Sequence, residues 1–117
     1  MLYRPSLESL LAVVKGSQAA LLLDAEGEVV VAAGEPQIRH RLIGAYEGLS
    51  LATVKAIIAR HKMGGLDYVA RRHAGGSVIL RPLKDGYYLI VTLGPEAVMA
   101  EAVYHSASTK ELLDQDL

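Results

Sequence analysis

The sequence contains no cysteine and no asparagine. Without cysteine there is no disulfide, no thiolate metal site and no cysteine nucleophile. Without asparagine there is no N-glycosylation sequon. Net charge is also nearly absent: twelve Lys and Arg face thirteen Asp and Glu, leaving −1 with His neutral. Such a balance gives no electrostatic footprint for nucleic acid, an anionic membrane or a strongly acidic ligand. No apolar run approaches the roughly 18 residues needed to cross a bilayer. The opening MLYRPSLESL lacks the long apolar segment of a signal peptide. These absences predict a soluble, cytoplasmic protein, bacterial in style, with no membrane insertion and no nucleic-acid partner.

What is present is apolar. The chain has 117 residues, enough for one domain over 1–117 with one real core. Hydrophobic residues make up 51% of it and the mean hydropathy is +0.26. That is rich for a small monomer, whose surface must be mostly polar. An oligomer interface accounts for the excess with the fewest assumptions.

The apolar residues are patterned. In PSLESLLAVVKGS, Leu7, Leu10, Leu11 and Val14 fall at i, i+3, i+4 and i+7, one face of a helix. Pro5 suits its first turn and Gly16 its end. QAALLLDAEGEVVVAAG is two apolar runs around Asp24-Ala25-Glu26-Gly27, which predicts a hairpin with a short bulged loop. A long helix follows over roughly residues 36–62, ended by Met63-Gly64-Gly65. Three strand-like runs come next: LDYVARRH, SVILRPL and YYLIVTL. They are joined at Ala74-Gly75-Gly76 and at Lys84-Asp85-Gly86, and Asp-Gly is the strongest short hairpin signal. Gly94-Pro95-Glu96 is expected to open the last helix with Pro95 at its first position, and the polar tail of that helix is expected to fray. Strands joined by tight turns are antiparallel. Several are apolar on both faces, so the sheet needs cover on both sides. Three helices can supply it, giving a three-layer α/β sandwich.

This order of elements resembles the roadblock family, named for dynein light chains and including bacterial MglB-type regulators of small GTPases. The resemblance spans about residues 7–112. It rests on ALLLDAEGEVVVAAG, a strand, an Asp-x-x-Gly turn and a strand, and on SVILRPLKDGYYLIVTL, a strand ending near Pro, an Asp-Gly turn and an apolar strand. The long helix lies between them. The last helix, GPEAVMAEAVYH, departs from the Asn- and Gly-containing start of many members. The resemblance implies a five-stranded antiparallel sheet in order 2-1-5-4-3, with the long helix on one face and the terminal helices on the other. It implies homodimers in which the long helices pair and the third strands join edge to edge.

Within the long helix, Gly44 and Gly48 each cost roughly 1 kcal/mol relative to alanine. Around the helix, Ile38, Leu42, Ala45, Leu49, Ala52 and Ala56 form one apolar stripe, and Ile43, Leu51, Val54, Ile57 and Ile58 a second. A helix apolar on two sides is buried on two sides. One side can face the sheet and the other a second subunit, where the glycines would let two backbones approach. Alternatively, Gly48-Leu49-Ser50 breaks the segment into two helices with Ser50 as an N-cap. The residues expected at a dimer interface are Gly44, Gly48, Leu51, Ile58, Tyr68 and Ala70.

Catalytic chemistry is hard to find. His40, His61, His73 and His105 show no metal-ligand spacing. Ser106 and Ser108 have no nucleophile-elbow context. Asp24 and Asp85 sit where turns want aspartate, and no glycine-rich stretch has phosphate-loop spacing. The expectation is no enzyme, no metal and no cofactor. Arg71 and Arg72 are candidates for partner binding, the bland alternative being an edge strand guarded by charge; an arginine finger for a GTPase is a further, chemically conceivable role. By resemblance, the chain is a homodimeric regulator or scaffold of a small Ras-like GTPase. The alternative is a small-ligand sensor, which would need a cavity with convergent polar groups.

Overall fold

The computed structural model describes residues 3–34 and 38–117, with side-chain surroundings in the long helix given from residue 47 onward. The elements are α1 (Tyr3–Val13), β1 (Ser17–Leu23), β2 (Val29–Gly34), α2 (Ile38–Arg60), β3 (Val69–His73), β4 (Gly76–Pro82), β5 (Tyr88–Leu93) and α3 (Met99–Asp116). All pairings are antiparallel and the sheet order is β2-β1-β5-β4-β3, as expected.

The sheet is apolar on both faces because its inner strands are. Side chains alternate along a strand, so β1 sends Ala20 and Leu22 to one face and Leu21 and Leu23 to the other. On the first face, Ile79, Leu89, Val91 and Leu93 meet Leu7, Leu10 and Val14 of α1 and Ala102 and Leu113 of α3. On the second, Val78, Leu80, Tyr88 and Ile90 meet Leu51 of α2. The sheet is therefore the middle layer of three.

The turns follow their residues. Asp24 Oδ1 accepts the amides of Glu26 and Glu28 at 2.9 and 3.0 Å, and Gly27 takes φ +84°. The β1–β2 register shifts between Leu22 and Leu23, the expected bulge. At the β4–β5 turn Asp85 and Gly86 both have positive φ, 59° and 81°, and the Tyr87 amide donates to Lys84 O at 3.2 Å. That is the mirror-image turn that Asp-Gly favours in hairpins.

Several boundaries differ from expectation. α3 begins at Met99, not at Pro95, because Gly94–Ala97 closes a turn of its own through the Ala97 amide and Gly94 O at 3.2 Å. Its tail does not fray: Tyr3 Oη donates to Asp116 O at 2.7 Å and the Lys84 amide to Asp114 Oδ1 at 2.9 Å. α2 is continuous through Gly48, so Ser50 caps no second helix. Its end is set by Lys62, not by the glycines. Lys62 takes φ +53°, its amide donates to Ala59 O, and the Met63 amide donates to Ile58 O. Those two bonds are the Schellman pattern, with lysine where glycine is usual.

Candidate interaction surface

α2 presents two faces. Glu47 and Leu51 are buried against the sheet and Gly48, Val54 and Ile58 are half-buried. Leu49, Ala52, Thr53, Ala56 and Ile57 are exposed, a stripe at i, i+3, i+4, i+7 and i+8 that no described residue of the chain covers. Leu49 is 69% and Ile57 48% exposed. Contact with the sheet tells the predicted stripes apart: Leu51, Val54 and Ile58 face inward, Leu49, Ala52 and Ala56 outward, and Ile57, expected with Leu51, lies outward instead, at i+8 from Leu49.

Gly48 belongs to the inward face. A Cβ there would overlap the Tyr88 hydroxyl and lie 3.0 Å from its Cζ. The missing side chain makes room for a tyrosine of the same subunit. Burial raises the Tyr88 hydroxyl pKa, and the Asp24 carboxylate raises it further. Gly44 is in α2, but its surroundings lie outside the described residues.

β3 is the outer strand beside this face. It pairs only with β4, and its other edge is open among the described residues. At the opposite end of the sheet, Arg4 Nη1 donates to Ala32 O of β2 at 2.6 Å, so that edge carries a cation on a backbone carbonyl. Of the predicted residues on or near β3, Ala70 and Arg72 are exposed. Arg71 is not a free cation. It forms an ion pair with the buried Glu47 of α2 while its own side chain stays 51% exposed. Ile58 lines a shallow cleft of about 210 Å³ with Lys55, Ala59, Gly64, Gly65 and Leu66.

Sequence patterning missed the most buried charge among the described residues. Arg81, inside the apolar run SVILRPL, is 2% exposed. Its Nε donates to Ser106 Oγ at 2.8 Å, Nη1 to Asp67 Oδ1 at 2.8 Å and Nη2 to Val103 O at 2.6 Å. The guanidinium also lies over the Tyr68 ring, 4.9 Å from its centroid. Tyr68, expected at a dimer interface, is thus occupied on one side by its own subunit. The signal was available: an arginine among core residues needs a carboxylate and further acceptors, and Asp67 lies just before the strand that pairs with β4.

Among the described residues no group of His, Asp and Glu could hold a metal ion, and no helix is long and apolar enough to cross a membrane. The sequence matches no protein-family model and no curated protein. The fold does match. The Streptomyces avermitilis Roadblock/LC7 domain superposes with a TM-score of 0.85 over 94% of this chain and 92% of its own, at 19% identity. Myxococcus xanthus MglB gives 0.86 over 97% and 92%, at 12% identity. A structure described as MglB with tetrameric arrangement gives 0.83 over 95% and 84%, at 16% identity. The chain has the roadblock fold. Within that fold, the Arg71–Glu47 ion pair links β3 to α2, and the exposed stripe of α2 and the outer edge of β3 are both left open among the described residues.

Proposed function

We propose that this chain is a non-enzymatic homodimer that regulates or scaffolds a small Ras-like GTPase. The observation that carries the reading is the pair of uncovered features, the outward stripe Leu49, Ala52, Ala56 and Ile57 of α2 and the open edge of β3. An apolar stripe on a helix wants a partner, and an unpaired strand edge is a template for another strand. Pairing α2 with α2 and β3 with β3 about a twofold axis would satisfy both at once. Of the residues first expected there, Gly48 and Leu51 have their contacts inside the subunit. The dimer face is better drawn through Leu49, Ala52, Ala56 and Ile57, with Ala70 on the strand. Arg72 remains a candidate for contact with the GTPase, while Arg71 reaches it only by leaving Glu47.

The GTPase comes from the resemblance to MglB-type regulators, with the roadblock fold in support. Regulation would proceed by holding or reshaping switch loops. Sedimentation equilibrium at tens of micromolar should give a dimer; a monomer near 12.5 kDa would overturn the first half. For the second half, purified Ras-like GTPases of the source cell should include one that forms a complex with the chain and changes its hydrolysis or exchange rate. A dimer with no effect on any of them, and no complex, would remove the GTPase. The sensor alternative gains no support from the clefts among the described residues, which are shallow and lined mainly by apolar atoms.

A further inference from the structure

Near-neutral total charge hides a segregation across the sheet. Residues 38–73, which build α2, the following loop and β3, contain seven Lys or Arg and two acids. Both acids are engaged, Glu47 by Arg71 and Asp67 by the buried Arg81. Lys55, Arg60 and Lys62 are exposed on this side. The opposite layer has the reverse balance: α1 and the residues after it, 3–16, contribute Arg4, Lys15 and Glu8, and α3 outweighs them. Residues 96–116, the end of the turn before α3 and α3 itself, contain five acids and one lysine. That lysine, Lys110, is held by Asp114 at 2.7 Å, and Glu96, Glu111 and Asp116 are exposed.

Each charged side also shows apolar groups. On the basic side these are Leu49 and Ile57, which belong to the proposed dimer stripe and stay outside this contact; the acidic side has Tyr104, 73% exposed, and Leu112, 51% exposed, with Val13 of α1 across a shallow groove from Leu112. α2 and α3 lie on opposite faces of the sheet. The molecule is therefore polar along the sheet normal, with net positive charge on the α2 side and net negative charge on the α1/α3 side.

We propose that the basic α2 layer of one copy docks on the acidic α3 layer of a second copy. Every copy carries both halves of this contact, so the complementary partner is always present at equal concentration. A net charge of −1 leaves little overall repulsion between copies. The contact is head-to-tail, so each docked copy leaves one basic and one acidic layer open and association continues. It is distinct from the proposed twofold dimer, which joins subunits side by side through α2 stripes and β3 edges, and it does not depend on a GTPase. The two also respond differently to salt. The screening length falls from about 30 Å at 0.01 M to about 3 Å at 1 M salt, which removes a contact built on complementary charge and spares one built on apolar burial.

The test is sedimentation velocity of the full chain at about 0.01, 0.1 and 1 M NaCl. The weight-average mass at low salt should be about twice the high-salt value or more, since one added copy per unit already doubles it. Lys55→Glu with Lys62→Glu should abolish the low-salt species, and so should Glu96→Lys with Glu111→Lys. The chain with all four changes keeps the net charge but nearly erases the segregation, leaving +1 on residues 38–73 and 0 on residues 96–116; it should stay dissociated at low salt. A wild-type mass independent of salt overturns the proposal, as does a fourfold variant that folds by circular dichroism and still associates at low salt as the wild type does. Sedimentation of the protein with vesicles of phosphatidylcholine and phosphatidylglycerol, while copies fail to associate with one another, would assign the basic layer to a membrane surface and overturn it equally.

Discussion

Gly48 of α2 sits directly over the hydroxyl of Tyr88 at the start of β5, so closely that a methyl group on its Cα would overlap the oxygen. The helix reaches the sheet here because one side chain is missing from it. Gly48→Ala would gain up to about 1 kcal/mol of helix propensity. It would also force the buried tyrosine or the helix aside, and overpacking of this kind costs about 1–3 kcal/mol. The cost wins, so the substitution should lower stability by about 1 kcal/mol in a denaturant titration. Tyr88→Phe removes the overlapped oxygen. In the pair, Gly48→Ala should therefore cost clearly less than it does alone, a non-additivity that a double-mutant cycle reads directly. Strict additivity would mean that the hydroxyl is not what excludes a side chain at position 48.

On the other side of the same helix, Leu49 is 69% exposed. Leu49→Glu should leave the thermal midpoint of the dissociated chain nearly unchanged, since surface substitutions usually stay within about 0.5 kcal/mol. If Leu49 lies in the dimer face, a buried carboxylate there should weaken association at least about tenfold, the equivalent of about 1.4 kcal/mol. Sedimentation equilibrium of wild type and variant measures it. An unchanged association constant would move the dimer contact away from the outward stripe.

The layers and hairpins were readable because the signals were local, whereas the full strand order came from the resemblance, since the β1–β5 pairing joins runs far apart in sequence. Apolar runs of strand length, Asp24–Gly27 and Asp85-Gly86 fixed the hairpins, and Leu7, Leu10 and Val14 marked the buried face of α1. What was not readable were choices made by tertiary contact. Two apolar stripes on α2 do not say which one meets the sheet. That is decided by the fit of Gly48 to Tyr88 and by the ion pair of Glu47 with Arg71, whose partners are far apart in sequence. Lys62 ends α2 although two glycines follow, because the bonds from the Lys62 and Met63 amides close the helix two residues before Gly64. Pro95 misled for a related reason: the turn that precedes α3 satisfies the same local preference as a helix start.

That substitution of lysine for glycine at a helix end is testable. The left-handed conformation costs about 1–2 kcal/mol for a residue with a Cβ, while glycine costs the unfolded chain about 0.4–1 kcal/mol of entropy. The first term is larger, so Lys62→Gly should stabilise the chain by about 0.5 kcal/mol. Chemical denaturation should show a raised midpoint with an unchanged slope. A fall in stability would mean that the Lys62 side chain contributes more than its backbone costs.

Asp114 makes the fold sensitive to acid. Burial works to raise its carboxyl pKa, but hydrogen bonds from Lys110 Nζ and the Lys84 amide, together with the charges of Lys110 and Lys84, hold it below its ordinary value. A depressed pKa in the folded state contributes stability above the unfolded value, about 3.9, and that contribution is lost as pH falls through the folded value. The denaturation midpoint should therefore drop from about pH 4 downward, and Asp114→Asn should flatten that part of the profile.

The Arg81 cluster yields a prediction whose order is opposite to intuition. Arg81 is almost wholly buried, whereas Asp67, its only carboxylate among the described residues, is 74% exposed at the side chain. Removing the exposed partner leaves a buried cation with two neutral oxygens, Ser106 Oγ and Val103 O, and the Tyr68 ring. Breaking a buried pair from one side costs about 3–5 kcal/mol; water reaching the exposed Asp67 position reduces this to about 2 kcal/mol for Asp67→Ala. Arg81→Met removes the charge instead. Asp67 then returns to solvent, Ser106 Oγ still donates to Val103 O at 3.1 Å, and methionine fills most of the apolar volume. The arginine substitution should therefore cost less than the aspartate one, although it deletes three hydrogen bonds rather than one. The double variant should resemble Arg81→Met, because without the guanidinium there is no charge left for Asp67 to neutralise. Urea denaturation of the three variants decides it, and an Arg81→Met chain less stable than Asp67→Ala would show that the guanidinium is a net source of stability in the interior.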